Sequence, residues 1–178
     1  YVCKPAKAII EVPTEKGHFH FIAAPNDRYF RAESGNLKLL IRGLSSIYDY
    51  VIIDSAAGLG KAFDDAAAVS DRALVITTVD PITIRDAEKV GDNLSCPARL
   101  VINKFHPSFL KGEFKTIDDI IDKTKIQLIG VIPVDGMVVS SICSGESLPR
   151  NSIARLQISD LARRIDGERI PLNTRRLK

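Results

Sequence analysis

The chain has 178 residues, 45% of them hydrophobic, with a formal charge of +3 and three cysteines. That composition suits a domain with a full core rather than a disordered chain, and the charge is too small to argue alone for nucleic acid. Cys3, Cys96 and Cys143 are widely spaced with no CxxC pair, which speaks against a disulfide framework or a zinc site and fits a reducing cytoplasm, and no apolar run is long enough to cross a bilayer.

In chain order, FHFIAA (Phe19–Ala24) reads as a strand. Leu37, Leu40, Ile41 and Leu44 then recur at helical spacing. YVIID (Tyr50–Asp54) reads as the second strand, and residues 62–70 as a short alanine-rich helix. ALVITT (Ala73–Thr78) follows as a strand, then a helix over Thr83–Asn93 with Ile84, Ala87 and Val90 on one face. RLVIN (Arg99–Asn103) is the next strand. A helix over Thr116–Lys123 has Thr116 as N-cap and Asp119 three residues on, the spacing of a capping box. QLIGVI (Gln127–Ile132) is the last strand, before helices over Asp135–Ser144, ended by Gly145, and Asn151–Ile165. The middle three strands are nearly continuous in apolar character, as in strands covered on both faces. The alternation predicts an α/β, doubly wound, mostly parallel sheet with helices on both faces. One domain is expected over 1–165, with a basic tail over 166–178.

The stretch VIIDSAAGLGKAFDDA (Val51–Ala66) raises the question of phosphate binding. A phosphate loop reads GxxxxGK[ST], with backbone N–H groups around the phosphates and a hydroxyl for magnesium. With Gly60–Lys61 as the GK, the first glycine is replaced by Ser55 and the hydroxyl by Ala62, so the stretch is not that loop. An apolar strand ending in Asp54 fits a Walker B-type element, whose carboxylate faces the ligand crevice of an open α/β sheet and can hold magnesium. The structural alternative is an aspartate that caps the following turn.

Four stretches bear on that choice: YDYVIIDSAAGLG, ALVITTVDPITIRDAEKV, LVINKF and IGVIPVDGMVVSSICSGESL, in that order. Together they resemble the MinD/ParA family of deviant-Walker P-loop ATPases, its MinD branch above all, from about Ile9 to Leu172. In that family an aspartate-ending strand runs into a DSPAG-like turn. The next strand ends in TTPE or a near variant before a helix with an Arg-Asp pair. A third ends in Asn plus a basic residue, and an IPED-type turn precedes the later helix.

The resemblance implies a P-loop NTPase-like fold whose N-terminal units are missing from these residues, with ATP and Mg as cofactors. It implies that Asp54 is catalytic and arranges magnesium through water, that Gly58 sits in the switch II turn, and that Asn103 reads the adenine edge. Pro133 and Asp135 would close the adenine pocket, and Arg85 and Asp86 would lie near a dimer face. It further implies a homodimer closed through bound ATP, regulatory protein partners, and spatial positioning such as division-site placement. The implied location is cytoplasmic, peripheral at the inner membrane face where a C-terminal helix outside these residues exists; nucleic acid is not an expected partner.

Departures from the pattern are Ala56 for proline, Ile82 for glutamate, and the lack of any KGGxGKT-like loop in Tyr1–Lys178. The chain is therefore expected to be the C-terminal part of a longer ATPase. It should bind ATP poorly or not at all by itself and present a sheet edge or face that needs a partner. A ParA-type partition ATPase, or a non-catalytic interaction protein on the same fold, are the alternatives.

His18 and His20 can put two imidazoles on one strand face, but no third ligand accompanies them, so edge histidines are expected. Arg163, Arg164, Arg169, Arg175, Arg176 and Lys178 make the C-terminal end basic. IPLNTRRLK is too short and too weakly apolar to bind membrane alone, and a solvated tail is expected.

Overall fold

The structure is a computed structural model that describes residues 8–14, 17–23, 34–55 and 58–172. Cys3, Ala56 and the tail residues Arg175, Arg176 and Lys178 lie outside the described residues. The chain divides into two compact units, Tyr1–Asp54 and Ser55–Lys178.

In the first unit, β1 (Ile9–Thr14) and β2 (Gly17–Ile22) form an antiparallel hairpin, with Ile9 opposite Ile22 and Glu11 opposite His20. β2 is the strand expected around Phe19; its partner β1 was not legible because Pro13 and Glu11 interrupt the apolar run. His18 and His20 share one face as expected, with their rings edge to face at 5.2 Å. Among the described residues no group of three metal-ligating side chains forms. The helix α1 (Ser34–Ser45) half-buries Leu37, Leu40, Ile41 and Leu44 and leaves Leu39 exposed, which is the stripe its spacing predicts.

The strand expected at Tyr50–Asp54 does not form. An extended apolar segment becomes a strand only with a ladder, and Val51–Asp54 joins none of the sheets among the described residues. Ile52 is left 89% exposed.

The second unit runs α2 (Lys61–Ala67), β3 (Ala73–Thr77), α3 (Pro81–Asn93), β4 (Ala98–Phe105), a 3-10 turn at Pro107–Phe109, α4 (Ile117–Thr124), β5 (Leu128–Pro133), α5 (Gly136–Ser144) and α6 (Ile153–Ile165). The three strands are parallel in the order β3-β4-β5, the α/β architecture read from the sequence. The helix ends follow local chemistry. Asp80 caps α3 by accepting from the N–H groups of Ile82 and Thr83, with Pro81 at the first helical position. Thr116 and Asp119 form the expected capping box at α4, and hydrogen bonds from the backbone of Thr116 and Lys115 hold the Asp119 carboxyl below its usual range.

Alternation along the strands assigns the two faces. Val75, Leu100, Ile102 and Val131 join Ile84, Ala87 and Ile120 of α3 and α4 in one core, with Val90 packed against it. Ile76, Val101 and Gly130 stand side by side in register on the other face. There α6 lies close enough that a Cβ on Gly130 would meet Leu161 at 3.1 Å, so glycine is what admits the helix. Helices thus cover both faces of β4 and β5, and Leu100, Val101 and Ile102 are all at most 1% exposed.

Arg164 of α6 fastens the segment that follows the helix. Its guanidinium donates to the carbonyls of Ile170 (2.8 Å), Pro171 (3.0 Å) and Ile129 (3.3 Å). Arg164→Ala is expected to cost about 1–2 kcal/mol and to open residues near Arg169 to trypsin. Arg164→Lys should recover little, because an ammonium cannot span the same three carbonyls. Thermal melting with limited proteolysis checks this, and an unchanged cleavage rate would contradict it.

Candidate functional site

The C-terminal ends of parallel strands are where open α/β sheets bind ligands. At that edge β3 ends in Thr77, with Thr78 next in the chain, β4 passes Asn103, and β5 ends at Pro133. Three of the expected site residues, Asn103, Pro133 and Asp135, stand at this edge, in β4, at the end of β5 and at the cap of α5.

Asn103 is placed by a bulge. Ile102 pairs with Val131 and Phe105 with Pro133, so Asn103 and Lys104 oppose a single residue of β5. Lys104 takes the left-handed conformation at φ 51°. Its N–H donates to Asn103 Oδ1 at 2.9 Å. The Val134 N–H donates to the Phe105 carbonyl at 2.9 Å, which ties the turn after β5 to β4 just past the bulge. The Asn103 side chain is half-buried, and its NH2 group has no acceptor among the described residues. It is a positioned donor, with a lone pair still open on its oxygen.

Pro133 is buried at the end of β5. Asp135 opens α5, and its carboxylate serves two helices. Oδ1 accepts from the Met137 N–H (2.9 Å), while Oδ2 accepts from the Ser152 hydroxyl (2.7 Å) and the Ala154 N–H (3.1 Å). Ser152, fully buried, in turn accepts from the Arg155 N–H as the cap of α6. The Ser152 hydroxyl, then the Ala154 and Met137 N–H groups, hold the Asp135 carboxyl below the usual aspartate range. Two helix N-termini around one anion favour its charged form further. Asp135 therefore fixes the turn beside Asn103 through its side chain.

A hydroxyl cluster completes this edge. Thr83 Oγ1 lies 2.9 Å from Thr78 Oγ1 and 3.2 Å from Thr77 Oγ1, and accepts from the Thr78 N–H. Ser152, Lys104 and these threonines were missed by the sequence reading. Ser152 carried the N-cap signal of a serine before an apolar helical stripe. A left-handed lysine carries none.

The remaining expected residues are placed as follows. Asp54 is exposed at the end of the first unit. Gly58, in the second unit, has φ 91°, a conformation that favours glycine, and is exposed. Lys61 begins α2 and pairs with Asp65 at 2.7 Å, an i,i+4 helix pair rather than a phosphate ligand. On α3, Arg85 meets Glu113 at 3.3 Å and Asp86 meets Lys89 at 3.4 Å, both exposed.

No protein-family model matches the chain. Among curated proteins it is 37% identical over 146 residues to the septum site-determining protein MinD of Thermotoga maritima, covering 77% of this chain and 54% of that one. To MinD of Bacillus subtilis it is 33% identical over 146 residues, covering 76% and 54%. Among solved structures, MinD of Aquifex aeolicus superposes with a TM-score of 0.77 at 28% identity, covering 92% of this chain and 71% of that one.

The chain belongs to the MinD/ParA family, and within it is most similar to MinD.

The MinC:MinD complex of Aquifex aeolicus superposes nearly as well, with a TM-score of 0.76 at 28% identity over 92% of this chain and 69% of that one. MinD of Pyrococcus horikoshii, solved with Mg-ADP, shares the fold at a TM-score of 0.75 and 21% identity, covering 92% and 69%. The chain spans about half the length of the curated MinD relatives it matches.

Proposed function

We propose that this chain is the base-recognising part of a MinD-like ATPase that acts in spatial positioning such as division-site placement. The observation that carries the reading is the bulge at Lys104, which aims the Asn103 carboxamide at the ligand edge of a sheet shared with MinD. The described residues fit the base half of a nucleotide. Asn103 offers a free donor and an acceptor, and the turn at Pro133–Asp135 is clamped beside it. They do not fit the phosphate half, because Lys61 is committed to Asp65 and Gly60–Lys61 lacks the phosphate-loop pattern.

In this reading, ATP binds at the C-terminal ends of the parallel strands. Asn103 orients the base, Pro133 and Asp135 shape its pocket, and Gly58 lets the chain turn near the γ-phosphate. Asp54 would hold the water shell of magnesium. A solved relative was crystallised with Mg-ADP and another with MinC, which supports a magnesium nucleotide and a regulatory protein partner for the whole protein. An ATP-linked homodimer at the inner membrane face belongs to the same proposal.

The test is Asn103→Ala in the polypeptide read from the start of its coding sequence. ATP affinity should fall by about tenfold, the loss of about 1.4 kcal/mol of hydrogen bonding, while the melting temperature falls by only a few degrees, because the same change removes the acceptor of the Lys104 N–H. Unaltered affinity in a folded variant would remove Asn103 from the base site.

A further inference from the structure

The buried stripe of α6 is Ala154, Gln157 and Leu161, at helical spacing on the side that meets the sheet. Gln157 is the polar member. It is 2% exposed, and its Nε2 has no hydrogen-bond partner. A buried amide left without a partner is costly, and a folded protein that keeps one has a use for it. Its neighbours fix its height. Ala154 donates to the Asp135 carboxylate past the end of β5, and Leu161 lies against Gly130. Gln157 falls between them, at the level of Ile132, which follows Gly130 on the same face by alternation. Across the ladder, Ile102 pairs with Val131 and Phe105 with Pro133, so Ile132 is opposed by Asn103 and Lys104. Ile102 and Phe105 both lie in the core under α3 and α4. The bulge therefore turns Asn103 to the other face, the one that α6 covers.

We propose that Gln157 is a positioning residue for Asn103, its Nε2 donating to Asn103 Oδ1 as a base closes on the site. The two groups are complementary. Gln157 has a buried donor without an acceptor, and Asn103 Oδ1 takes the Lys104 N–H and keeps one lone pair open. They are not bonded to each other here; the bond forms when Asn103 is engaged. Both lone pairs of the oxygen are then held by this chain, and the carboxamide can no longer swing. Of the donor and the acceptor that Asn103 offers, the NH2 group is the one left to meet an acceptor nitrogen of the base. Fixing that direction beforehand lowers the ordering cost of binding. The inference rests on the reading of Asn103 as a base-recognising residue.

The test is a double-mutant cycle of Gln157→Met and Asn103→Ala in the polypeptide read from the start of its coding sequence, titrated with MgATP and with magnesium triphosphate. Methionine keeps the length of glutamine and cannot donate, and it removes a buried unpaired amide, so the melting temperature should hold or rise. Gln157→Met should weaken ATP about fivefold and leave triphosphate, which has no base, unchanged. Added to Asn103→Ala, it should cost nothing further, because a residue that acts through Asn103 has no effect once Asn103 is gone. ATP affinity equal to wild type in Gln157→Met would overturn the proposal. So would an additive loss of about fiftyfold in the double variant, which would give Gln157 a role of its own, or an equal loss of triphosphate binding, which would make its role structural. Wild-type polypeptide that does not bind ATP, or that binds it unchanged by Asn103→Ala, sinks the base-recognition reading itself and this inference with it.

Discussion

Asp135→Ala is expected to destabilise the second unit by about 3 kcal/mol and to lower its melting temperature by roughly 10 °C. One carboxylate accepts three hydrogen bonds and caps two helices, α5 through Met137 and α6 through Ala154 and the buried Ser152. A lost N-cap costs about 1 kcal/mol, and a buried hydroxyl deprived of its acceptor adds about 1–3 kcal/mol. Asp135→Asn should recover part of the loss, since an amide oxygen still caps one helix. The pH dependence follows from the lowered carboxyl. Its contribution is fully present above the unfolded aspartate value of about 3.9 and is lost as pH falls through the lower folded value. Wild type should therefore lose stability more steeply than Asp135→Ala below about pH 4. Parallel acid melts of the two proteins would contradict the clasp.

Lys104→Pro is expected to cost about 3 kcal/mol or more and to remove base recognition with it. Proline holds φ near −65°, whereas Lys104 sits at 51°, and proline also lacks the N–H that Asn103 Oδ1 accepts. The change in φ is what breaks the bulge, and the lost hydrogen bond adds to it. Lys104→Gly is the control, because glycine enters the left-handed region without a Cβ penalty. It should keep or raise stability by up to about 1 kcal/mol and keep ATP affinity in the whole protein. Denaturation and nucleotide titration of both variants check this. Loss of affinity with glycine would mean that the lysine side chain, and not the bulge, matters.

Most of the second unit was legible in the sequence. The apolar runs of β3, β4 and β5 and the stripes of α3 and α6 fall where periodicity puts them, since each segment finds its partners within the unit. Val51–Asp54 carries an equally good strand pattern and forms no strand. Pattern reports the capacity to pair, and pairing needs a neighbour. Asn103, Pro133 and Asp135, named from the family resemblance, stand at the C-terminal ends of β4 and β5 and at the start of α5. The bulge at Lys104 was not legible, because a left-handed lysine is imposed by register between β4 and β5 rather than by local preference. Nor was the clasp of Asp135 on Ser152, which joins residues 17 positions apart through a turn, a helix and a loop.

The central claim is that this chain carries the base half of an ATP site and takes its phosphate half from elsewhere. Calorimetric titration of MgATP into Tyr1–Lys178, and into the polypeptide read from the start of its coding sequence, tests it most directly. The expected result is binding by the longer polypeptide and a loss of at least about a hundredfold, roughly 2.7 kcal/mol, in the chain alone. Equal binding by both would place a phosphate site within these residues, and binding by neither would leave a MinD-like fold without an ATP site.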